Sequence, residues 1–226
     1  PAAHPNSRFT SPAKNSPVIS NRFASKYGVP ISAIIFGGRR AQTTPLVCEA
    51  RDWNHGVFMG STIASEKTAA ATGVVGELRR DPMAMIPFCG YNMANYFEHW
   101  LKMGKLLREK SPKIFNVNWF RTDEDGNFIW PGFGDNLRVL NWILDRCDNK
   151  VEAIDSPIGL LPKIDDIDIE DLEISKETIS ELLNINKDSW ANEILSIKEF
   201  YAKFGETLPT DLNVQLNILE ENIDKM

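Results

Sequence analysis

A mixed α/β fold, α+β in character and built around a mixed sheet, is what this 226-residue sequence predicts. Three observations carry the prediction. Short apolar runs bounded by Gly and Pro fall in the first half, at residues 31–36 and 45–49, as buried strands do. Residues 93–107 and 137–147 repeat their apolar side chains at helical spacing. An acidic C-terminal region adds three further helical patterns. The length suits one domain or one and a half. With 42% hydrophobic and 25% charged residues, the chain has the composition of an ordinary globular protein.

Taken in order, residues 1–30 read as loop, because Pro1, Pro5, Pro12, Pro17 and Pro30 interrupt any regular element. The strand at 31–36 stops at Gly37-Gly38-Arg39-Arg40. A second strand is expected at 45–49 and a third at 56–59. Residues 65–71 have the composition of a short helix with Ser65 as N-cap, and Gly73 and Gly76 then loosen the chain. In the helix at 93–107, Tyr96, Phe97, Trp100, Leu101 and Leu107 share a face. Residues 114–120 and 127–130 are expected to pair as a hairpin, since Arg121-Thr-Asp-Glu-Asp-Gly126 has no apolar residue and ends in an Asp-Gly turn signal. The helix at 137–147 follows. After a Pro- and Asp-rich connector at 157–171 come helices at 176–183, 189–204 and 211–224. The middle one places Trp190, Ile194, Ile197, Tyr201 and Phe204 in a stripe that fits packing on the rest of the protein.

Charge is divided unevenly. Residues 1–150 hold 19 Lys/Arg against 13 Asp/Glu, and residues 151–226 hold 6 against 18. Anion chemistry therefore belongs to the first part, and the acidic tail would repel a polyanion, which argues against nucleic acid. No apolar run approaches the roughly 20 residues that cross a bilayer. Cys48, Cys89 and Cys147 form no C-x-x-C pair, and His4, His55 and His99 are scattered, so reduced thiols, a cytoplasmic setting and no metal site are expected. The opening Pro1-Ala-Ala-His-Pro, without Met, reads as the start of a truncated or cleaved polypeptide.

The densest chemical signal is Trp119, Phe120, Phe128, Trp130 and Phe133, closing on Gly134-Asp135-Asn136. Flat rings and amide side chains suit a heterocycle, and Trp-Pro-Gly-Phe-Gly lets backbone approach a ligand. An aromatic hairpin buried in a core is the competing reading. Arg39 and Arg40, at the end of a strand beside two glycines, suit a phosphate or carboxylate, or else form a solvated pair. Asn6, Ser7 and Arg8 fit an oxyanion clamp. Residues 65–77, small and weakly packed, fit a hinged lid or an Ala-rich surface helix and loop. No Gly-x-x-x-x-Gly-Lys-[Ser/Thr] loop is present to cradle β- and γ-phosphates.

His4-Pro-Asn-Ser-Arg-Phe9, Phe36-Gly-Gly-Arg-Arg40, His55-Gly-Val-Phe58, Ser65-Glu66 with Thr68-Ala-Ala-Ala71, Arg80-Asp-Pro-Met-Ala-Met85, Phe88-Cys-Gly-Tyr-Asn92, Asn118-Trp-Phe-Arg121 and Trp130-Pro-Gly-Phe-Gly-Asp-Asn136 together resemble GTP-dependent phosphoenolpyruvate carboxykinase, in that family's order and spacing. The resemblance covers only the C-terminal portion of the family. It implies the C-terminal nucleotide-binding portion of that fold with a helical tail: residues 1–155 as part of the GTP-binding domain, and 156–226 as connector and tail on the same domain. The implied reaction converts oxaloacetate and GTP to phosphoenolpyruvate, CO2 and GDP, in gluconeogenesis or anaplerosis, with Mn2+ and with Mg2+ carried by the nucleotide.

By the same resemblance, Asn6, Ser7 and Arg8 contact substrate, with Arg8 bridging to the nucleotide phosphate, and Arg39 meets the terminal phosphate. Trp119, Phe120, Phe128 and Phe133 line the guanine pocket, and Gly134, Asp135 and Asn136 read the base. Ser65, Glu66, Thr68, Gly73 and Gly76 belong to a mobile lid that shields an enolate from water. The family's phosphate loop, metal ligands and oxaloacetate-gripping residues have no counterpart here and are expected upstream, in a missing N-terminal part of the same enzyme. The chain alone is then inactive, and the complete enzyme is a monomer. Ala64 stands where many animal members carry Arg, while the Val-Val-Gly-Glu-Leu-Arg-Arg run after the lid resembles microbial members. A non-catalytic guanine-nucleotide-binding or interaction module is the alternative; the aromatic cluster disfavours the ATP-dependent class.

Overall fold

The computed structural model describes residues 10–67, 74 and 76–226. Its centre is a five-stranded mixed sheet in the order β1-β5-β2-β7-β6, made of β1 (Ala33–Gly37), β2 (Val47–Glu49), β5 (Lys113–Val117), β6 (Ile154–Ser156) and β7 (Gly159–Leu161). β1 and β5 run parallel, and the other neighbours are antiparallel. A separate two-stranded ribbon joins β3 (Ala64–Glu66) to β4 (Leu78–Arg80), with Ala64 opposite Arg80 and Glu66 opposite Leu78.

Helices cover both faces, and strand alternation decides which face each side chain serves. On β2, Cys48 joins a core with Phe58 of α1 (Trp53–Ser61), Phe97 of α2 (Met93–Leu107), Ile197 of α5 (Lys187–Ala202) and Leu212 of α6 (Thr210–Asp224). Its neighbour Val47 enters the opposite core, with Phe115 and Val117 of β5, Trp142 of α3 (Asn136–Cys147) and Ile179 of α4 (Lys176–Leu183). The expected mixed fold is observed, and both long helices of the basic part lie within a residue of their expected bounds.

Three local expectations are corrected. Residues 56–59 are helix, not strand: Asp52 caps α1 by accepting from the His55 N–H at 2.8 Å. A four-residue apolar run is ambiguous between the two states, and the cap decides it. Ser65 is no N-cap but the middle of β3, while the remainder of that expected helix, at 68–71, lies outside the described residues. The hairpin of 114–120 with 127–130 shrinks to one bridge, Thr122 to Phe128, because β5 spends its edges on β1 and β2. The turn signal holds. Asp123 accepts from the N–H groups of Asp125 and Asn127 at 3.0 and 2.8 Å, and Gly126 adopts a positive φ of 83° that its lack of Cβ permits. The connector at 157–171 also contains β7, which completes the sheet against β2.

Candidate guanine-nucleotide site

The end of β1 leads into a loop whose backbone is held at every step. The Arg39 N–H donates to Ser65 Oγ at 3.1 Å, the Arg39 carbonyl accepts from the Glu66 N–H at 2.8 Å, and the Ala41 N–H donates to Glu66 Oε1 at 2.8 Å. Gly38 is explained by this junction. A Cβ on Gly38 would sit 2.3 Å from the Ala64 carbonyl oxygen, so the glycine admits β3, the first strand of the expected lid. The uncluttered backbone beside the arginines thus serves protein packing.

With its backbone fixed, the half-buried Arg39 lays its guanidinium over the Phe120 ring, 4.6 Å from the centroid. That is within cation–π range. Phe120 meets Phe128 edge-on, with centroids 5.8 Å apart and planes at 75°. Phe128 is 63% exposed and Phe133 is 98% exposed. Phe128 and Phe133 are therefore not interleaved into a solid interior, while Phe120 is partly exposed with one face against Arg39. The arrangement brings a cation and two rings together, with Phe133 exposed a few residues on.

Two aromatic residues of the same stretch do otherwise. Trp119 packs against the second core. Trp130 is fully buried, and its Nε1 donates to Asn136 Oδ1 at 2.9 Å. That bond orients the Asn136 amide: its oxygen faces Trp130, so its Nδ2 donor points the other way. Asp135 uses its N–H on the Gly132 carbonyl at 2.8 Å and its carboxylate on Arg138 Nε at 3.1 Å, and the tight turn runs through Gly132 at φ 93°. Gly134 has open space where a side chain would stand. A cavity lined by Cys48, His55, Phe58 and Ile197 reaches Gly38 and Arg40 beside the Arg39 loop but none of the aromatic residues at 119–133.

The lid expectation divides at the limits of the described residues. Ser65 and Glu66 sit in β3, and Gly76 has a positive φ of 85°. The ribbon is prolonged by Lys67, whose N–H donates to the Glu77 carbonyl at 2.9 Å and whose Nζ meets the Glu77 carboxylate at 2.6 Å. Thr68 and Gly73 lie outside the described residues, as do Asn6, Ser7 and Arg8.

One participant was missed in the sequence. Glu193, on α5, receives Arg40 through both guanidinium nitrogens at 3.1 and 2.6 Å and Arg80 at 2.7 Å, with all three side chains buried. It ties the base of the β3–β4 ribbon and the Arg39 loop to the tail. Burial alone would raise the Glu193 pKa, but the two guanidiniums outweigh it and hold the carboxyl below its usual range. The signal was available: Glu193 lies three residues after Trp190 and four before Ile197, so a carboxylate interrupts an otherwise apolar helix face. Among the described residues no group of three His, Cys, Asp or Glu side chains could hold a metal ion. The Mn2+ implied by the resemblance therefore has no ligand set among the described residues. No helix of the described residues is long and apolar enough to cross a membrane.

The family model described as "Phosphoenolpyruvate carboxykinase C-terminal P-loop domain" matches residues 1–222. A protein named phosphoenolpyruvate carboxykinase (GTP) from Treponema pallidum is 53% identical over 225 residues, which is 98% of this chain and 36% of that protein. Proteins of the same name from Renibacterium salmoninarum and Anaeromyxobacter dehalogenans are 50% and 51% identical, over 99% and 98% of this chain and 37% of their own length. The chain thus spans little more than a third of these relatives. A family match over residues 1–222 and relatives at about 50% identity over nearly all of its length show that this chain belongs to the phosphoenolpyruvate carboxykinase family, within its C-terminal P-loop domain.

Proposed function

We propose that this chain is the guanine-nucleotide-holding portion of a GTP-dependent phosphoenolpyruvate carboxykinase, which converts oxaloacetate and GTP to phosphoenolpyruvate, CO2 and GDP. The observation that carries the reading is the Arg39 guanidinium seated on Phe120 beside the exposed ring of Phe128, with Phe133 exposed further along the same stretch. A base stacked on these rings would bring its phosphates toward Arg39, where a guanidinium neutralises charge as a phosphoryl group moves. Trp119 and Trp130 back the slot, and Gly134 and Asp135 form its rim.

Asn136 supplies the discrimination. Its oxygen is turned to Trp130, so the side of the amide directed away from Trp130 leads with the Nδ2 donor. The O6 of guanine accepts there, whereas the amino group of adenine would set donor against donor. By resemblance, Asn6, Ser7 and Arg8 meet the substrate, and Ser65, Glu66, Thr68, Gly73 and Gly76 bound the lid that excludes water from the enolate. Mg2+ would arrive with the nucleotide; no step is assigned to Mn2+, whose ligands these residues do not provide. The outer edge of β1 and the exposed Phe23, Tyr27, Ile31 and Ile35 support a docking face for the larger remainder of the enzyme. The complete enzyme is proposed to be cytoplasmic and monomeric.

Titrating the purified chain with GTP, GDP and ATP tests the reading. Because Phe133 is almost wholly exposed, Phe133→Ala leaves the fold intact and should weaken GTP by about 5- to 100-fold, the worth of one stacked ring. Asn136→Ala should narrow the preference for GTP over ATP. Equal affinity for the two nucleotides in the unsubstituted chain, or GTP binding untouched by Phe133→Ala, refutes the assignment. The chain by itself is expected to bind nucleotide without turnover, since it has neither a phosphate-loop motif nor, among the described residues, a metal-binding group.

A further inference from the structure

The base loop and the phosphate loop are joined by the Thr122 N–H to the Ala41 carbonyl at 3.1 Å and by one buried side chain, and we infer that this side chain, Asn118, is a positioning residue that sets the separation between the guanine slot and the Arg39 clamp. The inference rests on the nucleotide reading above. Asn118 is 1% exposed and touches neither base nor phosphate in that reading. Its Oδ1 accepts from the N–H groups of Arg40 at 3.3 Å and Phe120 at 3.2 Å. Its Nδ2 donates to the carbonyls of Arg40 at 2.8 Å and Thr44 at 2.9 Å.

A primary amide has two acceptor sites and two N–H donors, and here all four are used. The orientation is also unique, because the flipped amide would face two donors with a donor group and two carbonyls with an oxygen. No other side chain repeats this set. Asp would turn an acceptor on the Arg40 and Thr44 carbonyls, and an apolar residue would orphan four backbone groups. Through this amide the backbone beside Arg39 is locked to the backbone of Phe120, whose ring carries the Arg39 guanidinium. The same loop is sewn to β3 at Ser65 and Glu66. A ligand that occupies both the slot and the clamp gains from their fixed spacing, whereas a ligand that occupies one of them does not.

That asymmetry gives the test. Binding of GTP, guanosine and inorganic tripolyphosphate to the 226-residue chain is measured by calorimetry for the unsubstituted protein, Asn118→Asp and Asn118→Ser. GTP should weaken by about 10- to 100-fold, the loss of effective concentration between two linked contacts, while guanosine and tripolyphosphate each change by less than about threefold. A uniform loss for all three ligands, or an unchanged GTP affinity, overturns the positioning role. If the variants do not fold, hydrogen exchange on the unsubstituted chain decides. The Arg40 and Phe120 amide protons share one acceptor oxygen, so both should slow together with GTP and neither with guanosine alone. A response confined to one of them overturns the proposal. Should the unsubstituted chain bind none of the three ligands, the nucleotide reading falls and this inference with it; GTP binding that Asn118 variants leave intact removes the inference alone.

Discussion

Removing the Glu193 carboxylate should cost this chain about 4 kcal/mol of stability, because it strands two guanidiniums in the interior. Two charge-assisted hydrogen bonds from Arg40, at 3.1 and 2.6 Å, and an ion pair with Arg80 at 2.7 Å end on this side chain. Each is worth about 1.5–3 kcal/mol when made, but they share one acceptor group and are not additive. Breaking a buried pair by removing one partner costs about 3–5 kcal/mol, and that range governs here. Glu193→Gln keeps the volume and one acceptor, so its cost should be roughly half as large. For a domain of this size, 4 kcal/mol lowers Tm by about 8–16 °C. Urea unfolding followed by far-UV circular dichroism measures both variants, and the triple substitution Arg40→Met, Arg80→Met, Glu193→Leu should recover most of the loss. The pH dependence follows from the sign of the shift. The folded carboxyl titrates below its unfolded value, so its contribution is complete above the unfolded pKa and disappears as pH falls through the folded one. The gap between wild type and Glu193→Gln must therefore close in acid. A Glu193→Ala cost below about 1 kcal/mol would show that water reaches the triad and that the burial argument is wrong.

Three further outcomes are expected. Burial, then the Arg51 charge, pushes the His55 pKa down to about 4, so the folded ring stays neutral while the unfolded one takes a proton. Stability should then fall by about 3 kcal/mol from pH 6.5 to pH 4. His55→Asn, which preserves an acceptor for the Arg51 N–H now held at 3.1 Å, should flatten that slope in denaturant titrations. Gly38→Ala should destabilise by about 1–3 kcal/mol and speed hydrogen exchange at Glu66, because its Cβ collides with the Ala64 backbone. Gly134→Ala, in open space, should leave Tm nearly unchanged, and equal behaviour of the two would contradict the packing role. Cys48 is buried and its thiol is pushed up to about 12, so a thiol reagent should titrate Cys89 and Cys147 in the native chain and all three thiols in urea. Native reaction of Cys48 at the rate of the other two would mean that the core opens readily.

Much of this molecule could be read from local sequence. The helices at 93–107, 137–147 and 176–183 are amphipathic over two or more turns, and a period sustained that long survives any tertiary context. The Asp125–Gly126 turn is likewise local, since the Asp123 carboxylate and a positive-φ glycine make it without help from the rest of the chain. The aromatic stretch stood out in sequence as a dense run of large rings, but local sequence could not tell Arg39, which lies over Phe120, from Arg40, which is buried on Glu193. Tertiary structure decided what depends on partners distant in sequence. Residues 114–120 could have paired with 127–130, but β1 and β2 took both edges of β5. Trp130 and Phe133 look alike in sequence, yet one is sealed in the core and the other lies open, because Trp130 reaches Asn136 and the second core. The separation of Arg39 from Phe120, the use of Gly38 by β3 and the burial of Glu193 between two arginines all join segments far apart along the chain. Periodicity and turn chemistry report a residue's immediate neighbours, whereas a buried charge or a shared hydrogen bond is stabilised only where the fold delivers its counterpart.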